Sequence, residues 1–301
     1  MNMAYYIGVD IGGTNLKAGV VDEAGQIVGE ASVPTGADRP QDVVLEDILG
    51  AVSKAVQASG VSTKAIRAVG MGSPGKIDYE TGTVVYNNNL GWKDFHISEK
   101  MSEALGLPVR LENDADAAAL GEVISGSAKG AKSAIIVTLG TGVGVGIVLD
   151  GKIYRGSEFG HMVIEHGGLE CTCGRKGCFE VYCSATGLIR MTRENGITEP
   201  DGTVNGRTVF DAADNGSKAA AELIDKYIEY LACGLANLIN GLQPEVIGIG
   251  GGVAKQGERL LVPLRKKVEA EVYKGLTPAR IVGCMLGYKA GLIGAAMSVR
   301  D

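Results

Sequence analysis

The chain is short of aromatic residues and of histidine: four phenylalanines, one tryptophan and three histidines occur among 301 residues. It also lacks a surplus of positive charge, and a formal net charge of -6 argues against a footprint on nucleic acid. No apolar run reaches the roughly 18 residues that read as a membrane span, and the first residues lack the basic, apolar, small-residue order of a secretion signal. A soluble, cytoplasmic protein without membrane or nucleic-acid partners is expected. The six cysteines are not spaced like a disulfide framework, which suits a reducing compartment. Glycine, by contrast, is abundant. Its 46 copies point to tight turns and close backbone approaches, as where loops hold phosphates. The length suits two α/β domains of ordinary size.

Half of the cysteines lie in one stretch, 157–180, with Cys171, Cys173 and Cys178 separated by Gly174 and Gly177. Glycines let the backbone fold back and aim three thiolates at one point, and either His161 or His166 can complete a tetrahedral zinc set. Four protein ligands leave no open position for an activated water, so the zinc is expected to be structural. Glu158 and Glu180 bracket the module, and a metal-bound imidazole keeps a second ring nitrogen for a hydrogen bond.

The run Tyr5 to Asp10 followed by Ile11-Gly12-Gly13-Thr14-Asn15-Leu16-Lys17 reads as strand, turn, strand. Bare amides at Gly12 and Gly13, the Thr14 hydroxyl and the Lys17 charge make a cradle for a polyphosphate. The spacing fits neither a Walker loop nor a Rossmann fingerprint. The pattern returns at Thr138-Leu139-Gly140-Thr141-Gly142, where 138–150 can be laid on 10–22. Two such hairpins predict two similar α/β halves, each giving one phosphate loop to a shared cleft.

Helices are predicted over 42–55, 115–123, 217–240 and 290–300, and strands over 65–71, 108–112, 245–250 and 279–286. The loop Gly72-Ser73-Pro74-Gly75 lies at a strand end, where ligands collect in α/β folds. The run Tyr86 to Trp92 sets Asn87, Asn88 and Asn89 beside the lone tryptophan. Asp114, at a strand end and helix start, reads equally as an N-cap and as a carboxylate aimed to accept a proton. Gly250, Gly251 and Gly252 end a strand in bare backbone, against which an adenine or ribose can lie.

These segments together resemble the ROK family of sugar kinases and repressors over nearly the whole chain. The resemblance is carried by Asp10 to Lys17, Glu112-Asn113-Asp114, Glu158-Phe159-Gly160-His161, Cys171 to Glu180 and Gly250 to Gly252. It implies the duplicated actin-like ATPase fold. The domains are expected at 1–115, joined by the last helix 290–301, and at 116–289. It also implies ATP-dependent phosphorylation of a hexose. Asp114 then resembles the base for the sugar 6-hydroxyl. Gly75, Asn89 or its neighbour Asn88, Asn113, Glu158, His161 and Glu180 resemble sugar ligands. Asp10 resembles the residue that positions magnesium. Gly12, Gly13, Thr14, Lys17, Thr138, Gly140, Thr141, Gly142 and Gly250 to Gly252 resemble the ATP site. His161 resembles the histidine that completes the zinc site with Cys171, Cys173 and Cys178, which makes His166 the spare. A homodimer is implied by the family alone.

Within the family, Val181 to Gly187 resembles the glucose-phosphorylating members more than the fructose-phosphorylating ones. Fructose, mannose, allose and N-acetylhexosamines are the alternative substrates. A sugar-responsive repressor is the rival class, and the phosphate strand beginning at Tyr5 leaves no room ahead of it for a DNA-binding segment. A zinc-knuckle interaction module is a third reading, which leaves both hairpins unexplained. Because the hairpins lie in other segments than the zinc loop, loss of zinc is expected to weaken sugar binding and to spare ATP.

Overall fold

The computed structural model describes residues 3–36, 39–87 and 90–300. Strand β1 (Tyr5–Ile11) turns at Gly12 to Thr14 into β2 (Asn15–Asp22), and β3 (Ile27–Pro34) follows. The hairpin register sets Asp10 directly opposite Lys17. Helix α1 (Gln41–Ser59) buries Val44, Ile48, Ala51, Val52 and Ala55, one face at helical spacing, and stops at Gly60 in the left-handed conformation. After β4 (Ile66–Ser73), the strands β5 (Lys76–Asp78), β6 (Thr83–Asn87) and β7 (Trp92–Phe95) form a small sheet. Helix α2 (Ile97–Leu105), β8 (Val109–Asn113) and α3 (Asp114–Ser125) complete this stretch.

The pattern then repeats with β9 (Ala134–Leu139), β10 (Val143–Leu149) and β11 (Lys152–Ile153). Helices α4 (Phe179–Cys183), α5 (Ala185–Glu194), α6 (Thr208–Asp214) and the long α7 (Lys218–Leu242) follow. The chain closes with β12 (Val246–Gly250), α8 (Gly251–Ala254), α9 (Glu258–Glu271), β13 (Arg280–Gly283) and α10 (Lys289–Met297). A helix begins at the glycines themselves, where the sequence reading put only a strand end in bare backbone. Gly251 takes φ +85 and lies on the Leu139 backbone, so the chain can wind up at once.

The two five-stranded sheets have the same plan, β3-β2-β1-β4-β8 and β11-β10-β9-β12-β13. In each, the hairpin supplies the antiparallel side and the later strands add parallel. The duplication read from the two glycine runs is therefore a duplication of topology.

The chain forms two compact units, 1–132 with 146–155 and 285–301, and 133–145 with 156–284. The first unit thus extends past the break expected at residue 115. Glycine contacts explain it: a Cβ on Gly294 of α10 would lie 1.6 Å from the Ala117 carbonyl oxygen of α3, and one on Gly121 would lie 2.1 Å from that of Ala290. The two helices meet backbone to backbone, and α3 stays with the first sheet. Trp92 is a core residue at 1% exposure, edge-on to Phe95 with centroids 5.0 Å apart. Among the described residues no helix is long and apolar enough to cross a membrane.

Gly294→Ala is expected to destabilise the chain by about 3 kcal/mol or more, because its clash is with backbone and no side-chain rotamer relieves it. Gly50→Ala in α1, where a Cβ would meet nothing within 4 Å, is expected to stabilise it by about 0.5–1 kcal/mol. Urea unfolding midpoints check the contrast, and similar midpoints for the two variants would refute it.

Candidate active site

In the first unit the hairpin and α3 bring two carboxylates together. Asp10 is the next-to-last residue of β1 and lies 3.9 Å from the ammonium of Lys17, which also stands 4.9 Å over the Tyr288 ring. Gly291 of α10 leaves room for the Asp10 carboxylate, since a Cβ there would lie 3.1 Å from its carbon. Burial pushes Asp10 up to about 6, with Lys17 opposing the shift and the charge of Asp114 adding to it.

Asn113, not Asp114, is the N-cap of α3: its Oδ1 accepts from the amides of Ala115 (2.9 Å) and Asp116 (3.4 Å). Asp114 is thereby the first helical residue, placed by its neighbour's cap, so the capping reading of Asp114 is corrected. Behind it, Arg155 forms a two-pronged ion pair with Glu112, whose side chain is fully buried. Asp116 is buried too, and burial first, then Glu112, pushes it up to about 7. Gly75 takes φ +102 with its Cα against the Tyr86 carbonyl, and Asn87 donates 2.8 Å to the Pro74 carbonyl, which together shape that loop. Asn88 and Asn89 lie outside the described residues.

Each glycine turn bonds one amide internally and leaves others without a protein acceptor. In the first, the Gly12 amide donates to Asn15 at 3.1 Å. The Gly12 and Thr14 carbonyls accept from the Thr35 hydroxyl (2.5 Å) and amide (2.9 Å). In the second, the Gly140 amide donates to Gly142 at 3.0 Å, and the Gly140 carbonyl accepts from Ala185 at 2.7 Å. The Thr141 carbonyl accepts from the Thr186 hydroxyl at 2.8 Å. Among the described residues, the amides of Gly13, Thr14, Thr141 and Gly142 have no protein acceptor. Such clusters of free amides suit an anion. Thr138, the next-to-last residue of β9, pairs with Gly250 of β12 just before the second turn.

The second unit also assembles the cysteine loop. One ligand atom each from His161, Cys171, Cys173 and Cys178 lies within 4.8 Å of all the others. The Cys171 sulfur is 3.6 Å from His161 Nδ1, and the Cys173 and Cys178 sulfurs are 3.6 Å apart. Those separations match the edges of a tetrahedron around zinc, about 3.4–3.8 Å for bonds of about 2.0–2.3 Å. Gly177 is required for this turn: it takes φ +80, and a Cβ would lie 1.7 Å from the Glu165 carbonyl oxygen. The donor set therefore fits a structural ion. His166 is exposed and lies outside the cluster. Glu158 is exposed just ahead of His161.

The cysteine loop runs directly into the second glycine turn's support. Cys178 precedes α4, and the Glu180 carboxylate accepts from the Val143 amide at 3.0 Å. Gly142 leaves room for it, since a Cβ there would lie 2.3 Å from the Glu180 oxygen and move that carboxylate. Thr35, Thr186, Arg155 and Asp116 were not singled out from the sequence; the first two act over separations of 23 and 45 residues.

Two copies of one strand order, each led by a glycine hairpin with outward amides, are the architecture of the actin-like ATPase fold, a two-domain α/β class. The family model described as "ROK family" matches residues 6–301. A protein named Glucokinase from Halalkalibacterium halodurans is 38% identical, over 100% of this chain and 96% of its own. The crystal structure of a ROK hexokinase from Thermus thermophilus superposes with a TM-score of 0.87 at 33% identity, over 98% of this chain and 97% of that one. That of a ROK family glucokinase from Streptomyces griseus, in complex with glucose and AMPPNP, gives 0.79 at 36% identity, over 99% of each chain. The chain belongs to the ROK family.

A carboxyl raised on folding stabilises the folded state fully below its unfolded value, 3.8, and that contribution is lost as pH rises through about 6. Asp10→Asn should therefore gain stability relative to the parent as pH rises from about 4 to about 7, the gap widening by about 1–3 kcal/mol. Urea unfolding across that range without divalent ions checks this, and a constant gap would show that Asp10 is ionised without cost.

Proposed function

We propose that this chain transfers the γ-phosphoryl group of ATP to the 6-hydroxyl of glucose. The observation that carries the reading is the pair of outward-facing glycine turns, together with a carboxylate, Asp114, set at a helix start beside Asp10. The relatives named for glucokinase activity support the choice of sugar.

On this reading Asp114 accepts the proton of the sugar 6-hydroxyl as its oxygen bonds to the γ-phosphorus. The bond to the β,γ-bridging oxygen breaks, and hexose 6-phosphate and ADP leave. The transition state is loose, so placement and charge neutralisation matter more than basicity, and Asp114 need take the proton only late. The amides of Gly13, Thr14, Thr141 and Gly142 meet phosphate oxygens, Lys17 adds a positive charge, and Gly250 to Gly252 offer bare backbone to the nucleoside. Asn113 keeps its amide nitrogen for a sugar hydroxyl while its oxygen caps α3. Gly75, Asn89 or its neighbour Asn88, Glu158, His161 and Glu180 complete the sugar contacts. Magnesium arriving with ATP would be held at Asp10 and would spread the charge of the transferring group. Zinc on His161, Cys171, Cys173 and Cys178 would be structural. With Nδ1 so engaged, the His161 proton would lie on Nε2, where it would be a donor toward the sugar.

Assay of a hexose panel with ATP is expected to show preference for glucose, and Asp114→Asn to lower turnover by roughly two to four orders of magnitude. Asn113 remains as cap, so the variant should melt with the parent. Preference for fructose or N-acetylmannosamine would overturn the sugar, and near-parental turnover the base.

The geometry changes the expectation that metal loss spares ATP. Cys178 leads in two residues to Glu180, which holds the Val143 amide of the second turn. Cys173→Ser, or chelation, is therefore expected to weaken glucose binding by about 10- to 100-fold and nucleotide binding by a smaller but measurable factor. Calorimetric titration with glucose and with AMPPNP checks both. Unchanged glucose affinity in a folded, zinc-free protein would reduce the ion to a staple.

A further inference from the structure

We infer that Thr35 and Thr186 are positioning residues that hold the two glycine turns with their amides toward the nucleotide's phosphates. The inference rests on the reading of these turns as an ATP site and names what sets their direction.

A peptide group is planar and trans, so its carbonyl and the following N–H point in opposite directions. Fixing one fixes the other. The Thr35 hydroxyl holds the Gly12 carbonyl at 2.5 Å, which aims the Gly13 amide away from Thr35. The Thr186 hydroxyl holds the Thr141 carbonyl at 2.8 Å and so aims the Gly142 amide away from Thr186. In each turn a backbone amide fixes a second carbonyl: that of Thr35 holds Thr14 at 2.9 Å, and that of Ala185 holds Gly140 at 2.7 Å, which aims the Thr141 amide. The amides that these bonds turn outward include three of the four without a protein acceptor.

The arrangement answers a specific weakness of glycine turns. Glycine crosses readily between backbone conformations, so a peptide plane next to one can flip and present a carbonyl where an amide was. A carbonyl turned toward a polyphosphate repels it. Holding the carbonyl with a hydroxyl from another segment opposes the flip before the nucleotide arrives, so less ordering is left to binding. The two threonines hold non-equivalent places in the repeat: Thr35 follows β3, and Thr186 lies in α5. Each half thus reaches the same restraint from a different element. Thr35 is fully buried, whereas Thr186 is exposed and sits where a change of side chain is tolerated.

The test compares Thr186→Val, which keeps the shape and removes the hydroxyl, with Thr186→Ser, which keeps the hydroxyl. Thr35→Val and Thr35→Ser form the parallel pair. For Thr186→Val the KM for ATP is expected to rise about 5- to 30-fold, the loss of one hydrogen bond to an oriented peptide. The KM for glucose and the melting temperature should stay at parental values, and serine should restore the KM for ATP to within about threefold. AMPPNP titration should show the same ratio. A parental KM for ATP in Thr186→Val would overturn the inference. So would a rise that serine does not reverse, or equal rises for ATP and glucose with a lower melting temperature. If Thr35→Val fails to fold, the Thr186 pair decides. A parent protein with no ATP-dependent sugar phosphorylation would instead refute the ATP reading itself.

Discussion

Helix α10 is the constraint on which the first unit depends. Its residues from Ala290 to Met297 are all buried, so it has no solvent face and must find partners all round. It does so without side chains in the way. Gly8 of β1, Gly70 of β4 and Gly121 of α3 each bring their backbone against a carbonyl of α10, those of Leu292, Ala295 and Ala290. Contacts this close leave no slack, because a single added methyl would have to displace main chain. Asp10, resting on Gly291, and α3, which starts at Asp114, are therefore set by one helix. The two carboxylates keep their relation because both elements carrying them are packed on the same backbone.

In the second unit a continuous piece of chain does the corresponding work. The cysteine loop ends at Cys178, α4 begins with Phe179, Glu180 reaches the Val143 amide, and Ala185 and Thr186 hold two carbonyls of the same turn. Phe179 packs its ring onto Gly234 of α7, anchoring α4 to the long helix. One residue of the cluster that fits an ion, Cys178, the carboxylate assigned to the sugar, Glu180, and the two residues that hold carbonyls of the second turn, Ala185 and Thr186, thus lie within nine residues of chain. An event at one of these groups has a short covalent route to the others, and this is why the segments cannot be treated as independent.

Two buried carboxylates of the first unit are also costly. Asp10 is pushed up to about 6 and Asp116 to about 7, both first of all by burial. Carboxylates kept in such places lower the stability of the chain at neutral pH. Among the described residues, four turn amides are left without protein acceptors, and on the proposed reading they are kept for a highly charged ligand.

Much of this was legible in the chain itself. The repeat of the glycine hairpins, the strand-to-helix step at Asn113 and Asp114, and the cysteine spacing all depend on short-range geometry, which sequence records directly. The apolar spacing of α1 and α7 is equally local. What the chain could not disclose were interactions between segments distant in sequence. Asn113 rather than Asp114 took the cap, because the backbone turned one residue earlier than composition indicates. The first unit kept α3, because glycines in α3 and α10 match only when the helices cross. Glu180 fell beneath Val143, and Thr35 and Thr186 onto the two turns, because folding brought their donors and acceptors within 3.0 Å. The sequence by itself determined the two hairpins, the clustering of three cysteines and the family. Only the tertiary structure decided which way each peptide faces, since a peptide's direction is set by whatever partner folding places beside its carbonyl.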